Sequence, residues 1–162
     1  MIGEAELRRR AARWGVDPMV VDLDHALGWF IAALAQTKDR ELQWCFKGGP
    51  CLRKCYFSGY RFSEDLDFTA VTALASEQVL GWVGQASRWA ERAGSPSYRA
   101  SEPRLEVVKD EYGDETYQIR VYYRGALAWG GPPRAIPVDI TRDERIVQPC
   151  TGREVIHPYS DA

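Results

Sequence analysis

"FKGGPCLRKCYFSGYRFSEDLDF" occupies residues 46–68. It opens on Lys47, Gly48 and Gly49 and closes on two aspartates one residue apart, Asp65 and Asp67. Just upstream, "LQWCFK" (42–47) alternates weakly and is rich in aromatics, so it reads as a strand that the glycine pair breaks. Pro50 suits the first position of a helix over "PCLRKCYF", which Gly59 ends. "DLDFTA" (65–70) reads as a second strand. Strand, glycine turn, helix and strand in so short a span predict a mixed domain with one sheet flanked by helices.

Each half of the stretch carries a chemical candidate. Glycines without side chains let backbone N–H groups approach an anion, and the helix N-terminus behind them favours negative charge. Gly48 and Gly49 are therefore a candidate triphosphate cradle, the plain alternative being a tight strand–helix turn. Asp65 and Asp67, at i and i+2, share one face of a strand. Two carboxylates so close repel unless a cation lies between them, and Mg²⁺ takes oxygen ligands of this kind together with substrate phosphates. The alternative is a solvated pair, with Arg61 as counter-charge. Leu66 and Phe68 point the other way, into the core.

Outward from this stretch the elements follow in order. "EAELRRRAARWG" is a short helix stopped by Gly15. "DPMVVDLDHALGWFIAALAQ" is a longer one, with Asp17 as N-cap, Pro18 at its first position and a stripe of Val20, Val21, Leu27, Phe30, Ile31 and Leu34. His25 lies in this helix and reads as a packing or surface residue. "SEQVLGWVGQASRWAERAG" is amphipathic, with Ser76 as cap and Gly94 as stop. "RLEVVKDEYGDETYQIRVYYRG" is a hairpin turning near Tyr112, Gly113 and Asp114, "AIPVDIT" (135–141) is a further strand, and "RIVQPC" reads as another short one. The expected fold is α+β, a mixed sheet of about five strands flanked by helices. Within one domain over 1–162, helices occupy 1–37 and the catalytic sheet core 42–148.

In the strand "AIPVDIT", Asp139 stands between Val138 and Ile140. An acid on an otherwise apolar strand needs a partner or a metal; Arg134 and Arg142 are the candidate partners. Asp65, Asp67 and Asp139 together make the carboxylate triad of a two-metal centre, which clamps the attacking and leaving oxygens of a phosphoryl or nucleotidyl displacement. Lys47, Arg53, Lys54 and Arg61 supply positive charge nearby.

Composition sets the bounds. The 162 residues are 45% hydrophobic and 27% charged with a net charge of −2, an ordinary globular balance that fits no disordered chain and does not suggest a general nucleic-acid binder. Charge is uneven: residues 38–62 hold six bases against two acids, residues 63–116 five against eleven. No apolar run approaches a membrane span and the N-terminus lacks an apolar leader segment, so a cytoplasmic location without membrane contact is expected. Cys45, Cys51, Cys55 and Cys150 form no C-x-x-C pair and are expected as free thiols.

"FKGG", "RFSEDLDF" and the later "VDIT" resemble the AbiEii/AbiGii toxin family, a branch of the polymerase-β-like nucleotidyltransferases, over about residues 40–162. The resemblance implies the polymerase-β-like fold. It also implies Mg²⁺-dependent transfer of a nucleotide from an NTP, often to RNA such as the tRNA acceptor end, and action as a toxin beside an antitoxin protein. By position it implies that Asp65, Asp67 and Asp139 are catalytic metal ligands, with two Mg²⁺ ions. It places Gly48 and Gly49 at the phosphate turn, Lys47 and Arg61 as flanking bases, and Ser63 as the serine of the R-x-S-x-D-x-D string. Two departures accompany it. Pro50 stands where the family has a hydroxyl, and it offers no backbone N–H either. The family's chain also runs on beyond "HPYSDA" into a helical half. The competing readings are a non-catalytic or truncated module that engages antitoxin or nucleic acid, and a haloacid-dehalogenase-like phosphatase, since "DLDFT" matches D-x-D-x-T.

Overall fold

A computed structural model describes residues 2–37, 44–72, 75–94, 96–99, 101–109, 111, 113–127, 131–142 and 144–161. The helices are α1 (Glu4–Trp14), α2 (Pro18–Gln36), α3 (Gly48–Cys51, continuing as a π-helical turn over Leu52–Tyr56) and α4 (Ser76–Arg92). The strands are β1 (Trp44–Lys47), β2 (Leu66–Ala70), β3 (Arg104–Lys109), β4 (Glu115–Tyr123) and β5 (Arg134–Thr141). They form one sheet in the order β1-β2-β5-β4-β3, in which only β2 and β5 pair in parallel. The expected mixed α+β sheet of five strands flanked by helices is observed.

Alternation along the strands decides which way the sheet faces. Leu66, Phe68, Ile136, Val138, Ile140, Tyr117, Ile119 and Val121 are buried and form one core with Leu27, Phe30 and Leu34 of α2 and Val79, Trp82 and Val83 of α4. Because side chains alternate with period two, Lys47, Asp67, Asp139 and Gln118 are left on the opposite face. α2 passes the length and composition test for a membrane span, contrary to the expectation that no stretch would, yet two-thirds of its apolar window is buried inside the protein. It is the central core helix.

Local signals hold at most element ends. Asp17 accepts the N–H of Met19 at 2.7 Å, and Gly15 closes α1 in the left-handed region. Several expectations need correction. α3 begins at Gly48 rather than Pro50, and it ends before Gly59 because the Phe57 N–H closes a wide turn on Leu52 O at 2.7 Å. α4 is capped at Ala75, not Ser76: the Gln78 side chain reaches back to accept the Ala75 N–H at 3.1 Å, while Ser76 is already helical. "RIVQPC" makes no strand, since the chain turns out of the sheet after Thr141. Of the hairpin turn, Tyr112 lies outside the described residues, and Gly113 adopts φ +89°.

Residues 144–161 run back across the protein and are fastened at several points. Cys150 forms a disulfide with Cys45 of β1, so two of the four cysteines expected as free thiols are bonded; Cys51 and Cys55 are the free ones. Spacing could not reveal this pairing, because the partners are 105 residues apart. Closing a loop of that length restricts the unfolded chain by roughly 4–5 kcal/mol in the entropic account. Reduction with dithiothreitol is therefore expected to lower the urea midpoint by the equivalent of about 2–4 kcal/mol, while a Cys45→Ser/Cys150→Ser protein shows no response to reductant.

Further along, the Ile156 N–H bonds Lys54 O at 2.6 Å. Asp161 accepts from His25 Nε2 at 3.0 Å, His157 Nε2 at 3.3 Å and Trp29 Nε1 at 3.3 Å. Burial holds His25 neutral, its pKa pushed down to about 4 against the pull of Asp161. His25 thus packs, as expected, and anchors the tail on α2.

Tyr159 belongs to a buried cluster. Asp24 receives Arg53 Nε at 2.9 Å, Lys54 Nζ at 2.7 Å and the Tyr159 hydroxyl at 2.7 Å. Burial alone would raise the Asp24 pKa; Lys54, Tyr159 and Arg53 together hold it below the usual carboxylate range. Arg53 and Lys54, grouped at the sequence level with the bases near the glycines, are in fact core residues that bolt α3 to α2. Helical periodicity turns both inward, away from Gly48 and Gly49.

Candidate active site

The site grows out of strand register. β1 pairs antiparallel with β2 so that Lys47 stands opposite Asp67, and β2 pairs parallel with β5 so that Asp67 stands opposite Asp139. β4 adds Gln118 beside Asp139. One rung of the sheet thus reads Lys47, Asp67, Asp139, Gln118 on the face away from the core. Adjacent strands lie about 4.8 Å apart, so the two carboxylates are within joint reach of a cation with oxygen ligands at about 2.1 Å. Asp65 lies in the bend just before β2.

The electrostatics follow from this crowding. Burial, then the charges of Asp65 and Asp139, push the Asp67 pKa up, with Lys47 pulling it back. Burial and Asp65 push Asp139 up as well. The three acids therefore sense one another. Each is half-buried, and the cluster has more negative charge than Lys47 offsets.

Gly48 is left-handed at φ +72°, and a Cβ there would overlap the Asp67 carboxylate. Gly49 packs on the next part of the stretch: a Cβ would fall 2.7 Å from Ser63 Oγ and 3.3 Å from Arg61 Nη2. Bare backbone is thus required at both positions for different reasons, a left-handed turn at one and close approach at the other. Gly48→Ala is expected to cost about 1–2 kcal/mol in backbone strain alone and to displace Asp67. Thermal melts of the variant check the first effect, and divalent-cation titration followed by tryptophan fluorescence the second.

Ser63 Oγ is buried and has no hydrogen-bond partner among the described residues. A hydroxyl in that condition suits a ligand oxygen brought to it. The Arg61 side chain is exposed beside it. Pro50 is buried inside α3, so the position where the resemblance expects a hydroxyl faces the interior.

Two participants escaped sequence reading. Glu144, from the segment after β5, accepts from Lys47 Nζ and from Thr69 Oγ1, and Lys47 also donates to Thr141 Oγ1 at 3.3 Å. These bonds hold the Glu144 pKa low. Lys47 is thereby committed to a carboxylate at the edge of the cluster. No local pattern marks Glu144, which follows a strand end in irregular chain. Gln118 did carry a signal, since it alternates with the buried Tyr117 and Ile119, but nothing local ties it to Asp139.

In sum, the structure brings Asp65, Asp67 and Asp139 into one cluster at the end of β1, with Gly48 against Asp67 and with Gly49, Ser63 and Arg61 grouped beside it. A comparison with curated proteins returns no match. The family model for the nucleotidyl transferase AbiEii toxin of type IV toxin–antitoxin systems matches residues 29–162, and with this sheet and this cluster the chain belongs to the AbiEii family of nucleotidyltransferase toxins.

Proposed function

We propose that the protein transfers a nucleotide from an NTP to an RNA acceptor such as the end of a tRNA, in a Mg²⁺-dependent reaction, as a cytoplasmic toxin held in check by an antitoxin protein. The observation that carries this reading is the register of Asp67 against Asp139, with bare Gly48 packed on the Asp67 carboxylate. The donor set fits the metal: three half-buried carboxylates that repel one another, all oxygen ligands, as Mg²⁺ requires.

Asp65, Asp67 and Asp139 would hold the metal, two ions in full occupancy. A metal held there would supply charge neutralisation at the triphosphate and acidification of the attacking hydroxyl. Gly48 and Gly49 offer backbone at the triphosphate, with the Arg61 guanidinium and the orphan Ser63 hydroxyl beside it. Asp139, opposite Asp67 in the strand register, would accept the proton from the acceptor hydroxyl. That oxygen then bonds to the α-phosphorus, the bond to the β-phosphate oxygen breaks, and pyrophosphate leaves. Lys47, paired to Glu144, screens Asp67.

The phosphatase alternative fares poorly. Its D-x-D-x-T nucleophile should follow the end of a strand, whereas Asp65 precedes β2 and Asp67 lies within it. Incubation with labelled NTPs, MgCl₂ and total tRNA tests the proposal. Labelled RNA is expected from the parent and none from Asp65→Ala. Transfer that survives the substitution removes Asp65 from the mechanism, and a silent parent that also fails to bind Mg²⁺–NTP by calorimetry favours the non-catalytic module.

A further inference from the structure

Beside the glycine turn the surface breaks a general rule. Phe57 is 58% exposed, Tyr56 42%, Tyr60 36% and Leu52 36%, four large apolar side chains within nine residues. Contiguous exposed apolar surface of this kind marks a binding site more often than chance. The rings are also held in place. Tyr60 N–H closes a turn on Phe57 O at 2.9 Å. From beneath, the buried Arg53 guanidinium donates to the carbonyls of Ser58 and Tyr60 while its Nε is fixed on Asp24. A loop braced by a buried ion pair thus holds these aromatic rings at the surface.

The chemistry around the rings selects the occupant. The Arg153 guanidinium lies 4.0 Å from the Tyr56 ring centroid, and the Tyr56 and Phe57 centroids are 6.1 Å apart. Arg61 is exposed immediately after Tyr60, and its guanidinium lies against Gly49. Exposed aromatic rings with a guanidinium over one of them and a second in the adjoining sequence suit stacking of unpaired bases with charge for the backbone, a pattern indifferent to base identity.

We propose that Tyr56, Phe57, Tyr60 and Arg153 form a stacking platform that receives the unpaired end of the RNA acceptor and feeds it toward the carboxylate cluster. The assignment rests on the RNA-acceptor part of the proposed function, and it adds the residues that recognise single strands over duplex. Arg61, next in sequence to Tyr60 and lying against Gly49, would draw the strand end toward the glycine turn.

The test is fluorescence anisotropy with a labelled, unstructured 12-nucleotide RNA, a blunt RNA hairpin and a DNA of the same single-stranded sequence. The parent is expected to bind the single strand at low salt and the blunt hairpin far more weakly. Tyr56→Ala/Phe57→Ala/Tyr60→Ala should weaken single-strand binding at least tenfold, with its circular dichroism and its calorimetric Mg²⁺–NTP binding unchanged. Tyr56→Phe/Tyr60→Phe, which keeps the rings, should retain binding, and Arg153→Gln should flatten the salt dependence. Single-stranded DNA bound as tightly as RNA leaves the platform intact and assigns sugar discrimination elsewhere. The proposal is overturned if the parent ignores the single strand, if the alanine variant binds it like the parent, or if the phenylalanine variant loses as much as the alanine one. It is overturned too if the patch proves to mediate self-association, with the alanine variant monomeric by sedimentation and RNA binding unaffected. Failure of Mg²⁺–NTP binding with the platform results standing would instead sink the nucleotidyl-transfer reading alone.

Discussion

Replacing Asp24 with alanine is expected to cost about 3–5 kcal/mol, a large part of the roughly 5–15 kcal/mol that typically separates folded from unfolded protein. Asp24 is the common partner of Arg53 and Lys54, and all three are buried. Its removal strands two cations in the core, and the Tyr159 hydroxyl loses its acceptor as well. Desolvation that the ion pairs now offset would stand uncompensated. Urea denaturation followed by tryptophan fluorescence measures the loss, and a cost below about 1 kcal/mol, typical of an exposed pair, would show that the cluster is not what joins α3 to α2. Asp24→Leu combined with Lys54→Met should recover part of the stability, since Arg53 can still bond the carbonyls of Ser58 and Tyr60. The effect reaches the surface because those carbonyls hold the loop leading to Arg61 and Ser63.

Asp67→Asn is expected to do the reverse, abolishing transfer while leaving the fold at least as stable. Losses on the order of a thousandfold or more in rate accompany removal of a central metal-binding or electrostatic group. Stability moves the other way because burial, Asp65 and Asp139 all disfavour the charged form of Asp67. Its folded pKa is raised above the unfolded one, so the ionised carboxylate opposes folding at neutral pH, and the parent regains stability as pH falls through the folded pKa. An amide has no charge to suppress. In EDTA at pH 7.5 the variant should therefore melt at or above the parent, by roughly 2 °C, and the gap should close toward pH 4. A variant that melts well below the parent would mean that Asp67 makes structural bonds, and a variant with near-parent transfer would remove it from the metal site. Such opposition between stability and activity is expected wherever like charges are held together for chemistry.

Much of this was legible in the chain itself, for one reason: period and punctuation are local. Asp67 could be placed on a strand, and Leu66 and Phe68 on its other face, from alternation alone, whereas Asp65, read into the same strand, lies in the bend just before it. Asp17, Pro18, Gly15 and Gly94 announced helix ends through backbone and capping chemistry that needs no tertiary partner. "FKGG" and "RFSEDLDF" carried the resemblance to the family, which the family model over residues 29–162 bears out.

Tertiary structure decided everything that depends on which distant segments meet. Asp139 joins Asp67 only through the parallel register of β2 with β5, set by how two apolar faces bury on α2 and α4. Arg53 and Lys54 look like phosphate-binding bases in one dimension, yet the turn of α3 directs them at Asp24 in the core. Glu144, the Cys45–Cys150 disulfide and the anchoring of Asp161 on His25 all come from the segment after β5, which has no periodicity to read. Its path is fixed by contacts with residues 75 and more positions away, among them Thr69 and, at 136, His25. Local sequence specifies the face a side chain takes on its own element, and only the packing of elements specifies what that face meets.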